Sequence, residues 1–259
     1  MKLKEKILKS DFAYGTWSQT GSPEVLEILG YSGKFAFTII DTEHGFYDLG
    51  AAENLVRAAN ASRISPIVRV MANENHLITK ALDIGAEGIL VPQITTRAEA
   101  EKVVAATKYY PKGNRGACPF IRVGHHLVTD WAEYATKANE DVLVMVLVEG
   151  ETGIRNLPEI AKTEGLDAIM LGPMDLSVSL GIGGQLDHPK VVEHIAQTIK
   201  VCDQENVSFF LPNFHLDMHQ AAESIKKWRS VGCKYFTVGS DKMFLTNYMN
   251  LQHQLIRGE

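Results

Sequence analysis

The chain has 259 residues, 45% of them hydrophobic and 22% charged, ordinary proportions for a sequence that builds a sizeable core, which excludes disorder as its main state. Lys and Arg number 26 against 31 Asp and Glu, a formal charge of −5, so no broad electrostatic footprint for nucleic acid is present. The opening MKLKEKILKS is charged throughout and lacks the apolar centre of a signal peptide. The longest apolar run, Val142 to Val148, is far shorter than the roughly 18 residues of a membrane span. A cytoplasmic setting with no membrane partner is expected. Cys118, Cys202 and Cys233 are too widely spaced for a disulfide framework or a zinc knuckle.

Taken in order, short runs rich in Val, Ile, Phe and Leu recur, each followed by a capping residue and helical periodicity. The predicted strands are Phe12 to Trp17, Phe35 to Asp41, Pro66 to Val70, Gly88 to Pro92, Val142 to Val148, Asp167 to Gly172, Val207 to Pro212 and Lys234 to Gly239. Asp48 caps a helix with Leu49, Ala52, Val56 and Ala59 on its apolar face, and Thr96 with Glu99 reads as a capping box. Asp187 caps another helix, with Pro189 in its first turn. Eight strands alternating with helices over about 250 residues predict an α/β fold of the (β/α)8, or TIM, barrel type. The barrel is expected to be a single domain over residues 1–259, with a long loop at 111–130 and a last helix at about 241–256 whose face carries Phe244, Tyr248, Leu251 and Leu255. A loop of that length is either a lid or interaction loop, or a disordered surface loop.

A barrel carries its site at the carboxyl ends of its strands, and functional groups concentrate there. Glu149 and Asp175 follow consecutive strands, so their carboxylates can converge on a hard divalent cation; the alternative is that Asp175 caps a helix and Glu149 pairs with Arg155. His44 lies three residues after Asp41, which can orient its imidazole, unless it is simply a surface histidine. Arg69 ends an apolar strand and must be paired or must serve an anionic ligand; an ion pair with Glu43 is the competing reading. His125 and His126 are read as loop residues, Gly181 to Gly184 as a turn, and Cys118 as an inert thiol.

Together the strand-two DTEHG, the IVR with the later ALDIGAEGILVPQI, the loop GNRGACP, VEGETGIRNL, and LGPMDLS followed by HPKV resemble the HpcH/HpaI family of metal-dependent, class II pyruvate aldolases, in order from about Trp17 to Asp241. The resemblance implies a barrel of the phosphoenolpyruvate/pyruvate type, assembled as a hexamer with the last helix exchanged between partners. It implies that Glu149 and Asp175 hold Mg²⁺, Mn²⁺ or Co²⁺, that Arg69 steadies the pyruvate enolate, and that His44 is a base supported by Asp41. Backbone groups at Gly172 and Met174 would lie against the pyruvate carboxylate, and Asp83 near the water network of the metal. The implied reaction cleaves a 4-hydroxy-2-oxo acid to pyruvate and an aldehyde, or runs in reverse.

One departure stands out: members such as 4-hydroxy-2-oxoheptanedioate aldolase carry Gln two residues before the metal-binding Glu, where this chain has Leu147. By strand alternation Leu147 shares the side of Glu149 and faces the ligand. Competing readings are a citrate-lyase or malyl-coenzyme A type thioester lyase, a Schiff-base aldolase with Lys242 as its only plausible lysine, and a non-catalytic 2-oxo acid binding protein.

Overall fold

A computed structural model describes residues 3–258. Eight parallel strands close into a barrel in sequence order: β1 (Ala13–Ser18), β2 (Phe37–Asp41), β3 (Ser65–Arg69), β4 (Gly88–Val91), β5 (Leu143–Val148), β6 (Ala168–Leu171), β7 (Ser208–Asn213) and β8 (Tyr235–Ser240), with β8 pairing back onto β1. Every strand lies within two residues of its expected bounds. The helices are α1 (Leu3–Lys9), α2 (Pro23–Tyr31), α3 (Leu49–Ala61), α4 (Asn75–Asp83), α5 (Arg97–Thr107), α6 (Trp131–Asp141), α7 (Glu151–Ala161), α8 (Pro173–Ser179), α9 (Pro189–Gln204), α10 (Met218–Ser230) and α11 (Asp241–Arg257).

Strands buried on both faces explain the near-continuous apolar runs. In β5, Val144, Val146 and Val148 point outward into the layer packed under the helices, while Leu143, Met145 and Leu147 point inward with Phe37, Ile39, Ile67, Met170 and Phe210. That inner set fills the barrel. Its amino end is closed by α1, where the Leu3 N–H donates to Glu87 Oε2 at 2.8 Å, Lys4 pairs with Asp167 at 2.8 Å, and the Tyr235 hydroxyl donates to the Ile7 carbonyl at 2.7 Å.

The expected caps hold at Asp48, which accepts from the Ala51 N–H at 2.9 Å, and at the Thr96–Glu99 capping box. One shifts: His188, not Asp187, caps α9, its Nδ1 accepting from the Lys190 N–H at 3.3 Å. Pro189 occupies the first helical position, so the cap falls on the residue directly before it. The 111–130 segment leaves α5 at the amino end of the barrel and packs on the end of α4, where Arg122 Nη1 donates to the Ile84 carbonyl at 2.8 Å. It is therefore no lid over this chain's own mouth, because α5 has carried it away from the rim. In α11, Phe244 stacks beside Phe35, whereas Tyr248, Leu251 and Leu255 are exposed rather than buried on this barrel. No helix among the described residues is long and apolar enough to cross a membrane.

Candidate active site

Arg69 is the last residue of β3, and its inward direction places a guanidinium above a largely apolar barrel interior. Such a group must be paired. Nε donates to Asp41 Oδ1 at 2.8 Å, Nη2 to Asp41 Oδ2 at 2.6 Å, and Nη1 lies 2.9 Å from Glu43 Oε2. The guanidinium also lies over Trp17, 4.6 Å from the ring centre, and the indole N–H is fixed on Thr237 Oγ1 at 2.8 Å. The ion pair with Glu43, open from the sequence, thus exists beside a stronger, bidentate one with Asp41.

Asp41 is completely buried. Burial alone would raise its pKa, but the hydrogen bond and charge of Arg69, with the Gln19 amide and the His44 N–H, outweigh that and hold it below the usual range. Its oxygens receive Arg69 twice, the Gln19 amide at 2.8 Å, and the backbone N–H groups of Glu43 and His44, each at 3.2 Å. This corrects the expectation that Asp41 supports the His44 imidazole. It reaches His44 through the backbone, its acceptor directions are filled, and the His44 side chain stands exposed at the rim.

Glu149 follows β5 directly. Burial pushes its pKa up to about 7, with the negative charges of Asp175 and Glu43 adding to the effect and the Gln93 N–H, which donates to Oε1 at 2.8 Å, opposing it. Gln93 adopts a left-handed backbone, φ 59°, a local cost a non-glycine residue bears here while presenting that N–H to the carboxylate. Gly172 completes the wall: a Cβ there would lie 2.8 Å from Glu149 Cβ, so only glycine lets Glu149 lie across the mouth. Asp175 sits in the first turn of α8 with an exposed side chain; the cap of that helix is Gly172, so Asp175 is not the capping residue. Arg155 contacts Thr152 Oγ1 at 3.3 Å instead of Glu149.

Glu43 is a further acid of this mouth. Burial raises its pKa, Arg69 and His44 oppose, and Asp41 and Asp175 push it further up. Its Oε2 is buried with no hydrogen bond, since Arg69 Nη1 is close but not aimed at it. Among the described residues no three His, Cys, Asp or Glu side chains converge as a ready-made metal cage. The donor set Glu149 plus Asp175 is incomplete, which is the pattern of a hard cation that keeps waters and takes further oxygens from substrate. Two mutually repelling carboxylates, one held up near neutrality, fit such an ion.

Other expected residues lie elsewhere or differently. Leu147 points inward, 3% exposed, in the layer directly below Glu149. Met174 is at the rim, 52% exposed. Asp83 ends α4 at the opposite end of the barrel, paired with Arg115 at 2.8 Å, and so is not beside Glu149 and Asp175 of its own chain; α4 runs away from the rim and carries it there. Lys242 is exposed, 5.7 Å from the Phe46 ring centre, and not in the buried interior. Sequence reading passed over Trp17 and Gln19 as members of the site, whereas Gln93, inside the GILVPQI run, contributes its backbone N–H.

The model of the HpcH/HpaI aldolase/citrate lyase family matches residues 13–247. The 5-keto-4-deoxy-D-glucarate aldolase of Escherichia coli O139:H28 is 35% identical over 199 residues, 75% of this chain and 76% of the relative. Among solved structures, citrate synthase SbnG superposes with a TM-score of 0.86 at 32% identity, covering 99% of this chain and 97% of that one. An HpcH/HpaI aldolase/citrate lyase family protein from Burkholderia cenocepacia J2315 gives 0.90 at 30% identity over 98% of each chain. The family match begins in β1, ends inside α11 and takes in every rim residue described above, and by that match the chain belongs to the HpcH/HpaI aldolase/citrate lyase family.

Proposed function

We propose that this protein is a divalent-metal-dependent aldolase that cleaves a 4-hydroxy-2-oxo acid to pyruvate and an aldehyde, or joins the two. The observation that carries the reading is the acid pair on adjacent strand ends, Glu149 and Asp175, with Glu149 raised to about 7 and a paired guanidinium, Arg69, in the same mouth. Glu149 and Asp175 would hold Mg²⁺, Mn²⁺ or Co²⁺, which when bound polarises the 2-oxo group and offsets the charge of the enolate. Arg69, kept planar and immobile by Asp41, would place an N–H edge toward the developing enolate oxygen. His44, exposed at the rim, would take the 4-hydroxyl proton in cleavage and return it in synthesis. Gly172 leaves room beside Glu149, and the backbone at Gly172 and Met174 would lie against the pyruvate carboxylate. The exposed apolar side chains of α11 support the expected hexameric assembly through that helix.

The direct test is exchange of the pyruvate methyl protons for deuterium, followed by NMR. It requires enolate formation and no knowledge of the aldehyde. Exchange that depends on added metal and vanishes in Glu149→Gln supports the reading; absence of exchange with all three ions rejects it. Trapping a pyruvate adduct on Lys242 with borohydride would favour the imine route instead.

A second reading is favoured by the likeness to citrate synthase SbnG, which covers 99% of this chain, and by the apolar Leu147 in the mouth. In that case the carbonyl partner would be oxaloacetate and the nucleophile an acetyl thioester. Release of free coenzyme A from acetyl-coenzyme A on adding oxaloacetate, without turnover of any aldehyde, would select it.

A further inference from the structure

Asp41 and Arg69 are held from a third side by the loop after β1. Gln19 lies one residue beyond β1, and its Nε2 donates to Asp41 Oδ2 at 2.8 Å. The Gln19 backbone is itself clamped: its N–H reaches both oxygens of Asp241, at 2.9 and 3.0 Å. Asp241 is 1% exposed, and it also receives the Thr20 N–H at 3.0 Å, the Thr20 hydroxyl at 2.7 Å, the Ser18 hydroxyl at 3.4 Å and the Lys242 N–H at 2.8 Å. No ion-pair partner of Asp241 occurs among the described residues, so this carboxylate is given over to fixing the loop on the start of α11. The Tyr47 hydroxyl adds a further tie, donating to the Ser18 carbonyl at 2.8 Å. With its main chain fixed, Gln19 presents the amide as a stationary donor.

The consequence lies in the acceptor capacity of Asp41. Oδ1 receives Arg69 Nε and the N–H groups of Glu43 and His44, and Oδ2 receives Arg69 Nη2. Oδ2 has one acceptor direction left, and the Gln19 amide occupies it. We propose that Gln19 is a positioning residue whose amide completes the shell of Asp41 and so locks the Asp41–Arg69 fork. The use of that fork by pyruvate rests on the aldolase reading, whereas the locking of Arg69 stands without it.

The experiment follows the Arg69 Nε–H by NMR in protein labelled with ¹⁵N-arginine, the signal being identified by its loss in Arg69→Lys. In Gln19→Leu the solvent exchange of this proton rises about tenfold, the factor expected for one lost hydrogen bond to a charged group. In Gln19→Glu the introduced carboxylate faces Asp41, with Arg69, Glu43 and Asp241 as the other charged groups nearby. Exchange is then fast at neutral pH and returns toward the parent rate on acidification, when the protonated carboxyl can donate again. With pyruvate as ligand, Gln19→Leu raises KM while kcat changes less, because the guanidinium edge is no longer held in one place. Unchanged Arg69 exchange in a folded Gln19→Leu protein overturns the proposal. If that variant does not fold, the acid-dependent recovery in Gln19→Glu decides in its place. If the parent shows no pyruvate chemistry, the aldolase reading fails while the guanidinium measurement still decides the role of Gln19.

Discussion

Arg69 grips Asp41 through two parallel hydrogen bonds, Nε to Oδ1 at 2.8 Å and Nη2 to Oδ2 at 2.6 Å. The pair is desolvated, so its two halves depend on each other. Removing one partner of a buried pair costs about 3–5 kcal/mol, since the other is left charged and uncompensated. Arg69→Ala should therefore destabilise the protein by that amount in urea or guanidinium unfolding, large for a residue at the rim. Arg69→Lys keeps the charge but cannot form the fork; it should lose less stability and most of the pyruvate affinity in a calorimetric titration. Equal pyruvate binding by the lysine variant and the parent would remove the fork from ligand recognition.

Glu149→Gln and Asp175→Asn remove one carboxylate each from the mouth without touching the packed interior. Both should weaken Mn²⁺ binding in a calorimetric or paramagnetic titration, while the thermal midpoint of the metal-free protein at neutral pH is unchanged or raised, because a like-charge contact is relieved. Parent-like metal affinity in both variants would place the ion elsewhere.

The strands were legible because a buried parallel strand writes itself as an unbroken apolar run, and the rim residues because each stands at the end of such a run or a few residues beyond it. Glu149, Asp175 and Arg69 needed only that rule. Partnerships across the barrel were less accessible. The three-residue spacing of Asp41 and His44 suggests a pair, yet the carboxylate turned instead toward Arg69, 28 residues on, because a buried guanidinium has the greater need of it. Gln19 is polar, in a loop and without periodicity, and its bond to Asp41 crosses between neighbouring strands. The 111–130 segment reads the same whether it lies above or below a barrel; only the direction of α5 decides. Asp83 fell inside a family-like motif but at the far end of a helix, and no motif states which end of the barrel a helix has reached.

The raised pKa of Glu149 has a consequence for stability in the absence of metal. Unfolded, the carboxyl titrates near about 4.3; folded, it titrates at about 7. Between these values the native state holds a proton that the unfolded state has lost, so stability falls as pH rises through the window and levels off above it. The midpoint of chelator-treated protein should drop between about pH 5 and about pH 8, by roughly 2–4 °C for each kcal/mol involved. Glu149→Gln should flatten that slope. A parent and variant with parallel pH dependence would show that Glu149 is ionised throughout.

His44→Ala should lower kcat by roughly 10²–10⁴-fold, the range for a general acid or base, with little change in metal or pyruvate affinity, because the exposed ring touches neither Arg69 nor Glu149 through a hydrogen bond. Asp41 binds only its backbone N–H, so the midpoint of unfolding should also be unchanged. A parent-like kcat at saturating metal would pass the base role to another group.

Leu147 lies inside the barrel, 3% exposed, with Cδ1 3.6 Å from the space a Cβ on Gly172 would fill. It therefore forms the floor under Glu149 and Gly172 and is not an open side wall. Leu147→Gln would set an amide into that floor among Met145, Met170 and other apolar side chains. Burying an amide without a full set of partners costs about 1–3 kcal/mol, so a loss of stability of that order is expected in metal-free protein. When pyruvate is bound, the same amide gains a polar neighbour in the mouth above it, and part of the loss should be recovered. The thermal midpoint of Leu147→Gln should accordingly respond more strongly to pyruvate and metal than that of the parent, and aldehyde preference should change while Mn²⁺ affinity through Glu149 and Asp175 is kept. Leu147→Met, similar in volume and without a polar amide, should behave as the parent in both respects. If Leu147→Gln is destabilised equally with and without pyruvate and its kinetics match the parent, residue 147 belongs to the packing of the barrel alone.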